Sequence, residues 1–370
     1  MPIRISRRRF AAALFTPVAF AAKTEQPLWP GSRFTQADRE NAIQRGLDFI
    51  YEMAKSSKDF ADWGHDLLWC FYTISSTAAS PPVRDNALRM GRERAAEWRR
   101  THTDVPTKDP EDLYEFVSGD DASNRLGVQR DDSVRERVRT AAARFSAVDF
   151  LDFDPTKEPP PSDIPKPCPR DGGANKRGAT HCARCGAALT FESRYEVWLD
   201  ALVQTYTGDI YGVPLGASYD DVLKWIKVMR PYSPPDEVSR GEAYDIVYAI
   251  THVVYTLNDY GKYRLSPKWL PEEFDYLKRN AEMAARDRDA ESLGEFMDTL
   301  RAFGMSESDA LLRFGLEYLL ASQNSDGSWG LSSGDAYARY HTTWTAIDGL
   351  RQYAFQGERL RRPELMALIR

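Results

Sequence analysis

Sustained runs of alternating apolar and polar residues, the mark of half-buried strands, are missing from this 370-residue chain, and helix formers dominate. The sequence also lacks the positive balance of a nucleic-acid or anionic-membrane binder, since its formal charge is −6. Cysteine is scarce, at four residues, and histidine at five. So few residues of either type can be weighed one by one. A hydrophobic content of 42% allows a large core, arranged as one domain or two.

No apolar run is long enough to span a bilayer comfortably. The one at residues 11–22 follows Ser6-Arg7-Arg8-Arg9-Phe10, which matches the S-R-R-x-F core of a twin-arginine signal, and Ala19-Phe20-Ala21 offers a cleavage site. Residues 1–22 are therefore expected to be a signal peptide read by the twin-arginine export machinery. The mature protein is expected in the periplasm or outside the cell, without a stable membrane span. Cleavage removes four arginines and leaves a more acidic chain. Substrates of this route cross folded, often because a cofactor is loaded first, which raises the expectation of a metal.

The stretch at residues 313–350 carries the clearest pattern. Gly315, Tyr318, Gln323, Gly327 and Trp329 keep the spacing G-x-x-[FY]-L-x-x-x-Q-x-x-x-G-x-W, and Tyr340-His341-Thr342 is followed by Gly349-Leu350. The first resembles the QW repeat of terpenoid cyclases. The second is similar to the Y-H-T-x-x-x-x-x-G-L stretch of protein prenyltransferase β subunits. The resemblance implies an all-α fold, an α/α toroid in which each repeat is one outer and one inner helix. It speaks to fold far more than to reaction. The residues point the same way unaided. Ser306 and Asp309 have capping-box spacing, residues 311–319 keep helical period, and 324–330 is turn chemistry.

Further outer helices are expected at 35–55, with Thr35 and Asp38 as a capping box, and at 84–100, 131–145, 218–230 and 272–286. Between them a polar position recurs. Glu115, Glu196, Asp245 and His341 each follow a tyrosine, and His65 and Glu295 fill equivalent places. They lie about fifty residues apart, apart from a longer step between Glu115 and Glu196. Six such helix pairs would close a ring, with an open solenoid as the competing arrangement. The first toroid part then covers 23–151 and the second 191–370.

The extra length falls at 152–190, where seven prolines between Pro155 and Pro169 rule out helix. Cys168-Pro169-Arg170-Asp171-Gly172 and Cys182-Ala183-Arg184-Cys185-Gly186 follow. They look like the two C-x-x-C-G turns of a zinc ribbon with Asp171 in place of one cysteine. Cys168, Cys182 and Cys185 are the expected ligands of a structural zinc, with Asp171 or His181 as the fourth; His181 would strain the backbone beside Cys182. The competing reading is a Cys182–Cys185 disulfide or free thiols. Cys70, alone in an apolar segment, reads as core.

In a closed ring the recurring positions share one depth. His65, Glu115, Glu196, Asp245, Glu295 and His341 would line a cavity, with His65 and His341 neighbours and His252 either deeper in the cavity or a core residue. Two histidines and Glu295 or Glu115 suit Fe, Mn or Zn as a second metal. The resemblance adds weight at His341, whose counterpart in protein prenyltransferases ligates zinc, although their D-x-C ligand pair has no match. The bland alternative is that the acids only start helices. His102 reads as a solvent-exposed turn residue. Asp120-Asp121 and Asp131-Asp132 preserve too little of the cyclase acid motifs and read as loop acids.

The expected function is therefore that of an exported enzyme acting on a small molecule or glycan in a central cavity. The first reading is metal-dependent hydrolysis or oxidation at His65 and His341, with Tyr340, Tyr244 and Tyr195 shaping the cavity. The others are a metal-free glycosidase or polysaccharide lyase using paired carboxylates, a terpenoid-cyclase-like isomerase or cyclase, and a non-catalytic binding protein.

Overall fold

The computed structural model describes residues 27–370, so the signal peptide expected at 1–22 lies outside the described residues. The fold is all-α: α1 (Gln36–Lys55), α2 (Ser57–Thr77), α3 (Pro81–Thr101), α4 (Pro110–Arg125), α5 (Ser133–Ala142), α6 (Ala147–Leu151), α7 (Arg194–Tyr211), α8 (Tyr219–Leu223), α9 (Ile226–Met229), α10 (Arg240–Asn258), α11 (Pro271–Arg286), α12 (Ala290–Ala302), α13 (Ala310–Ser322), α14 (Ala336–Leu350) and α15 (Met366–Ile369). Among the described residues β pairing is confined to isolated bridges, and no helix is long and apolar enough to cross a membrane.

Caps set where the helices begin. Thr35 and Asp38 form the expected reciprocal box before α1, and Ser56 both ends α1 and accepts from Asp59 to start α2. Asp109, Ser193, Ser239, Asp289 and Asp335 cap α4, α7, α10, α12 and α14. Two expected elements differ. The Ser306–Asp309 box does not form, because Ser306 Oγ turns to Ser308 and α13 starts only after Asp309. The helix expected over 218–230 is two short ones, α8 and α9, interrupted at Lys224 and Trp225.

Helix packing follows a regular order. α2 packs on α4, α4 on α7, α7 on α10, α10 on α12, α12 on α14, and α14 back on α2. Outside these, α1 lies on α2 and α14, α3 on α2 and α4, α8 on α7, α11 on α10 and α12, and α13 on α12 and α14. One continuous apolar core runs through these elements, with Trp198 and Trp329 as its bulkiest fully buried side chains.

The Q and W of the repeat clasp α13 to α1. Gln323 Nε2 donates to the Ala42 carbonyl at 2.8 Å, and Trp329 Nε1 donates to the Leu319 carbonyl at 2.8 Å. Arg45 reaches back to the Asn324 and Ser325 carbonyls at 2.8 and 2.9 Å. Gly327, at φ +92°, lies where a Cβ would stand 2.5 Å from the Arg45 oxygen, so only glycine lets the turn approach.

The α12–α14 crossing is the tightest. A Cβ on Gly294 would meet the Thr345 carbonyl oxygen at 2.4 Å, and one on Gly349 would meet Gly294 Cα at 2.9 Å. Every residue of α12 except Glu291 is buried.

Candidate functional site

The recurring polar positions share a helical register. Glu115, Asp245, Glu295 and His341 are each the sixth residue of their helix, on α4, α10, α12 and α14. His65 follows a break at Trp63 (φ −134°, ψ 21°), so α2 effectively restarts just before it. The helix-start alternative fits only Glu196, which lies in the first turn of α7; the first-turn acids of the other helices are different residues.

His341 sits closest to a chemical role. Because α12 and α14 cross backbone to backbone, the second residue of α12 meets the sixth of α14, and His341 Nδ1 lies 2.7 Å from Glu291 Oε1. Thr342 donates to the other Glu291 oxygen at 3.0 Å. Burial alone would push the imidazole down, but the bonded Glu291 and the nearby Glu295 carry it up to about 9, so it is charged at neutral pH. Burial likewise raises Glu291, and its bond to His341 outweighs that and holds the carboxyl below the usual range. Glu295, one turn on, is pushed up to about 8 by burial against the opposing pull of His341; Thr251 donates to it at 2.6 Å.

His65, His102 and His252 are instead held below the usual imidazole range. Burial lowers His65, against the opposing charge of Asp66. Burial brings His252 down to about 4. Its Nδ1 lies 2.9 Å from the Tyr248 carbonyl oxygen, which can only accept, so the proton is on Nδ1 and Nε2 keeps its lone pair. His102 is half-buried rather than exposed, its ring stacked 3.5 Å from Trp98.

Two openings reach Glu291 and His65, one each, and His341 is in the wall of neither. A groove of about 690 Å³ is lined by Tyr244, Tyr248, Glu291, Arg339 and Thr342. A smaller pocket of about 50 Å³ lies between α2, α4, α7, α14 and the turn after α10, with His65, Asp66, Trp69, Tyr114, Tyr260 and Trp344 in its wall. Tyr337 links the two regions, stacking on His341 at 5.8 Å and placing its hydroxyl 3.4 Å from Asp66. Tyr340 is fully buried beside Tyr337 and Trp344.

The remaining expected residues are spread more widely. Burial, then the like charges of Glu111 and Asp112, push Glu115 up to about 7. Glu196 is held by Lys166 at 2.9 Å. Asp245 is half-buried and raised by burial. Tyr195 faces the outer layer instead of a cavity, donating to the Met229 carbonyl. Asp120 and Asp121 are not loop acids. They lie buried in α4, where Asp120 pairs with Arg99 and accepts from Tyr211, and Asp121 pairs with Arg125.

Among the described residues, only Cys168, Asp171, Cys182 and Cys185 gather three or more metal-ligating atoms, all within 4.8 Å of one another. His65, His341 and Glu295 are not drawn together in this way. The cysteine turns are copies of each other. Cys168 N–H donates to the Gly173 carbonyl and Gly172 N–H to the Cys168 carbonyl; Cys182, Ala187 and Gly186 repeat both bonds. Gly172 and Gly186 carry φ of +67° and +70°, and Asp171 stands where Cys185 stands in the second turn. Cys168 and Cys185 sulfurs are 3.4 Å apart, and Cys182 Sγ is 3.6 Å from an Asp171 oxygen. Three thiolates and a carboxylate in this arrangement could hold a metal such as zinc. His181 is exposed and turned to Thr180, outside the set. Cys70 is fully buried in the main core.

Two residues of the site escaped the sequence pattern. Asp66 lies beside His65 but off the recurring register. Glu291 lies one turn before Glu295, and the signal for it was that i, i+4 pairing on a helix facing His341. Comparison with known proteins finds no matching family model, no matching curated sequence and no matching solved structure.

Proposed function

We propose that this chain is an exported enzyme with the α/α-toroid arrangement of the terpenoid cyclase and prenyltransferase superfamily, and that it moves protons in the ring's central cavity. His341 is the proton donor, oriented and kept charged by Glu291, and His65, kept neutral by burial, is the base. The Glu291–His341 contact at 2.7 Å carries this reading, because it fixes one ring nitrogen and the charge of the imidazole together. Two groups of one type held in opposite protonation states are what a paired acid and base require.

The toroid is supported by helix contacts that run from α2 through α14 and return to α2, and by the clasp of α13 on α1. The insertion is read as a zinc ribbon with a structural role, supported by its two matched turns and by a small core of its own, Cys168, Cys182, Ala187 and Leu189. Export rests on the twin-arginine motif at the N-terminus. Proton transfer is preferred here to a cavity metal because no three-donor set forms around His341 among the described residues.

Histidine Cε1 proton shifts followed by NMR from pH 5 to 10 test the assignment. His341 should titrate near 9 and drop by more than one unit in Glu291→Gln, while His65 stays below its usual range. Ordinary titration of His341 in the unmutated protein would sink the reading. Metal analysis gives the second arm: one zinc per chain is expected, and a further equivalent lost in His341→Ala would return the cavity to metal chemistry.

A further inference from the structure

The 50 Å³ pocket holds an acid, Asp66, that no described lysine or arginine pairs with. Asp66 is half-buried, and among the described residues no lysine or arginine comes within ion-pair distance of it. The hydroxyl of Tyr337, a neutral group, lies against it. Aromatic rings form much of the wall around it: Trp69, Tyr114, Tyr206, Tyr260 and Trp344. Trp69 and Tyr260 lie 5.9 Å apart, and Tyr206 and Tyr260 5.2 Å, each pair tilted rather than stacked flat. Arg125 and Arg361 approach the rings of Trp69 and Tyr206, but each is paired with its own acid, Asp121 and Asp209, and neither lines the pocket.

Burial of an unpaired carboxylate is costly, and the electron-rich faces of aromatic rings add negative potential to the same space. A bound cation relieves both. A second, independent observation concerns Trp69, which is only 8% exposed and whose indole N–H is buried with no hydrogen-bond partner. A buried donor in a pocket wall calls for an acceptor from the ligand. The pocket has room for about four groups the size of a water molecule, which suits a small head group.

We propose that the pocket binds an alkylated ammonium ion that also carries a hydroxyl, with the cation against Asp66 and the aromatic rings and the hydroxyl oxygen accepting from Trp69. This names the substrate class for the proton-transfer site and rests on that reading only for the chemistry that follows. Binding itself stands on the pocket alone. With His65 neutral the wall itself carries no positive charge, and the charged His341, outside that wall, is paired with Glu291.

Isothermal titration of the mature protein at low salt tests it with three probes: choline, tetramethylammonium, and 3,3-dimethylbutan-1-ol, the neutral isostere of choline. Choline should bind at least tenfold more tightly than the neutral isostere. Asp66→Asn should remove most of that difference. Trp69→Phe keeps a ring but loses the N–H, so it should weaken choline more than tetramethylammonium, and it serves if Asp66→Asn fails to fold. Equal binding of choline and the isostere, or no binding of either cation, overturns the proposal. His341→Gln should leave choline binding within about threefold. If it does while His341 of the unmutated protein titrates normally, the proton-transfer reading falls and the cation site stands.

Discussion

At the scale of single residues, the site depends on one imidazole and two carboxyls: the Glu291–His341 bond outweighs burial for that pair, and burial sets Glu295. Folding raises His341 from 6.5 to about 9 and Glu295 from 4.5 to about 8. Both therefore bind their protons more tightly when folded, so both contribute stability that is present at low pH and lost as pH rises. For Glu295 the loss runs from about 4.5 to 8, and for His341 from about 6.5 to 9. Denaturant melts should show stability falling by up to roughly 5 kcal/mol between pH 6.5 and 9. Glu291→Gln should flatten the His341 part of that slope, and a wild-type profile flat across this range would contradict the assigned shifts. The repeat spacing in the sequence was enough to put Glu295 and His341 at one helical register, the sixth residue of α12 and of α14. It could not find Glu291 or Asp66, which matter through contacts across helices and belong to no repeat. The same limit explains Tyr195 and Glu196, which keep the tyrosine–acid pair but lie in the first turn of α7, with the Tyr195 ring turned to α9.

At the scale of elements, the long helices were legible and the short ones were not. α1, α3 and α11 carry caps or proline starts and steady apolar periods, so they fall close to where the sequence put them. The segment at 218–230 has the same period but divides into α8 and α9, a decision made by tertiary packing. Its first half lies on α7, and Trp225 turns to donate to the Pro155 carbonyl at 2.9 Å. The QW stretch earns a sharper prediction. Trp329 is fully buried, bonded through its indole N–H and set against Gly46 of α1. Trp329→Ala should cost about 3–5 kcal/mol in urea unfolding. A loss below about 0.5 kcal/mol would mean that the clasp is not structural.

At the scale of the whole molecule, the insertion and the helical body are held by separate means. The helices share one large apolar core, whereas the knuckle's own core has four buried residues, two of them cysteines. So few apolar contacts supply little folding energy without a bound ion. Cys182→Ser should therefore release one zinc per chain and open residues 152–190 to proteolysis, with the helical circular dichroism almost unchanged. Zinc content equal to that of the unmutated protein would rule the site out. The two parts meet on the side away from the cysteine turns, where Phe153 and Ile164 enter the helical core, Trp225 bonds to Pro155, and Lys166 reaches Glu192 and Glu196 at 3.3 and 2.9 Å.

The clasp between α13 and α1 has a further consequence for how the chain is made. Gln323 bonds to a carbonyl 281 positions earlier, so α1 must wait for nearly the entire polypeptide to emerge before its partner exists. Helix pairs such as α2 with α3 can form during synthesis, but this joint cannot. Until it forms, α1 exposes Gly46 and the surface meant for Trp329, a sticky face on an unfinished product. Under the export route proposed above, in which the chain crosses the membrane already folded, that joint must be completed inside the cell, so release from the ribosome sets the earliest moment at which the protein can leave.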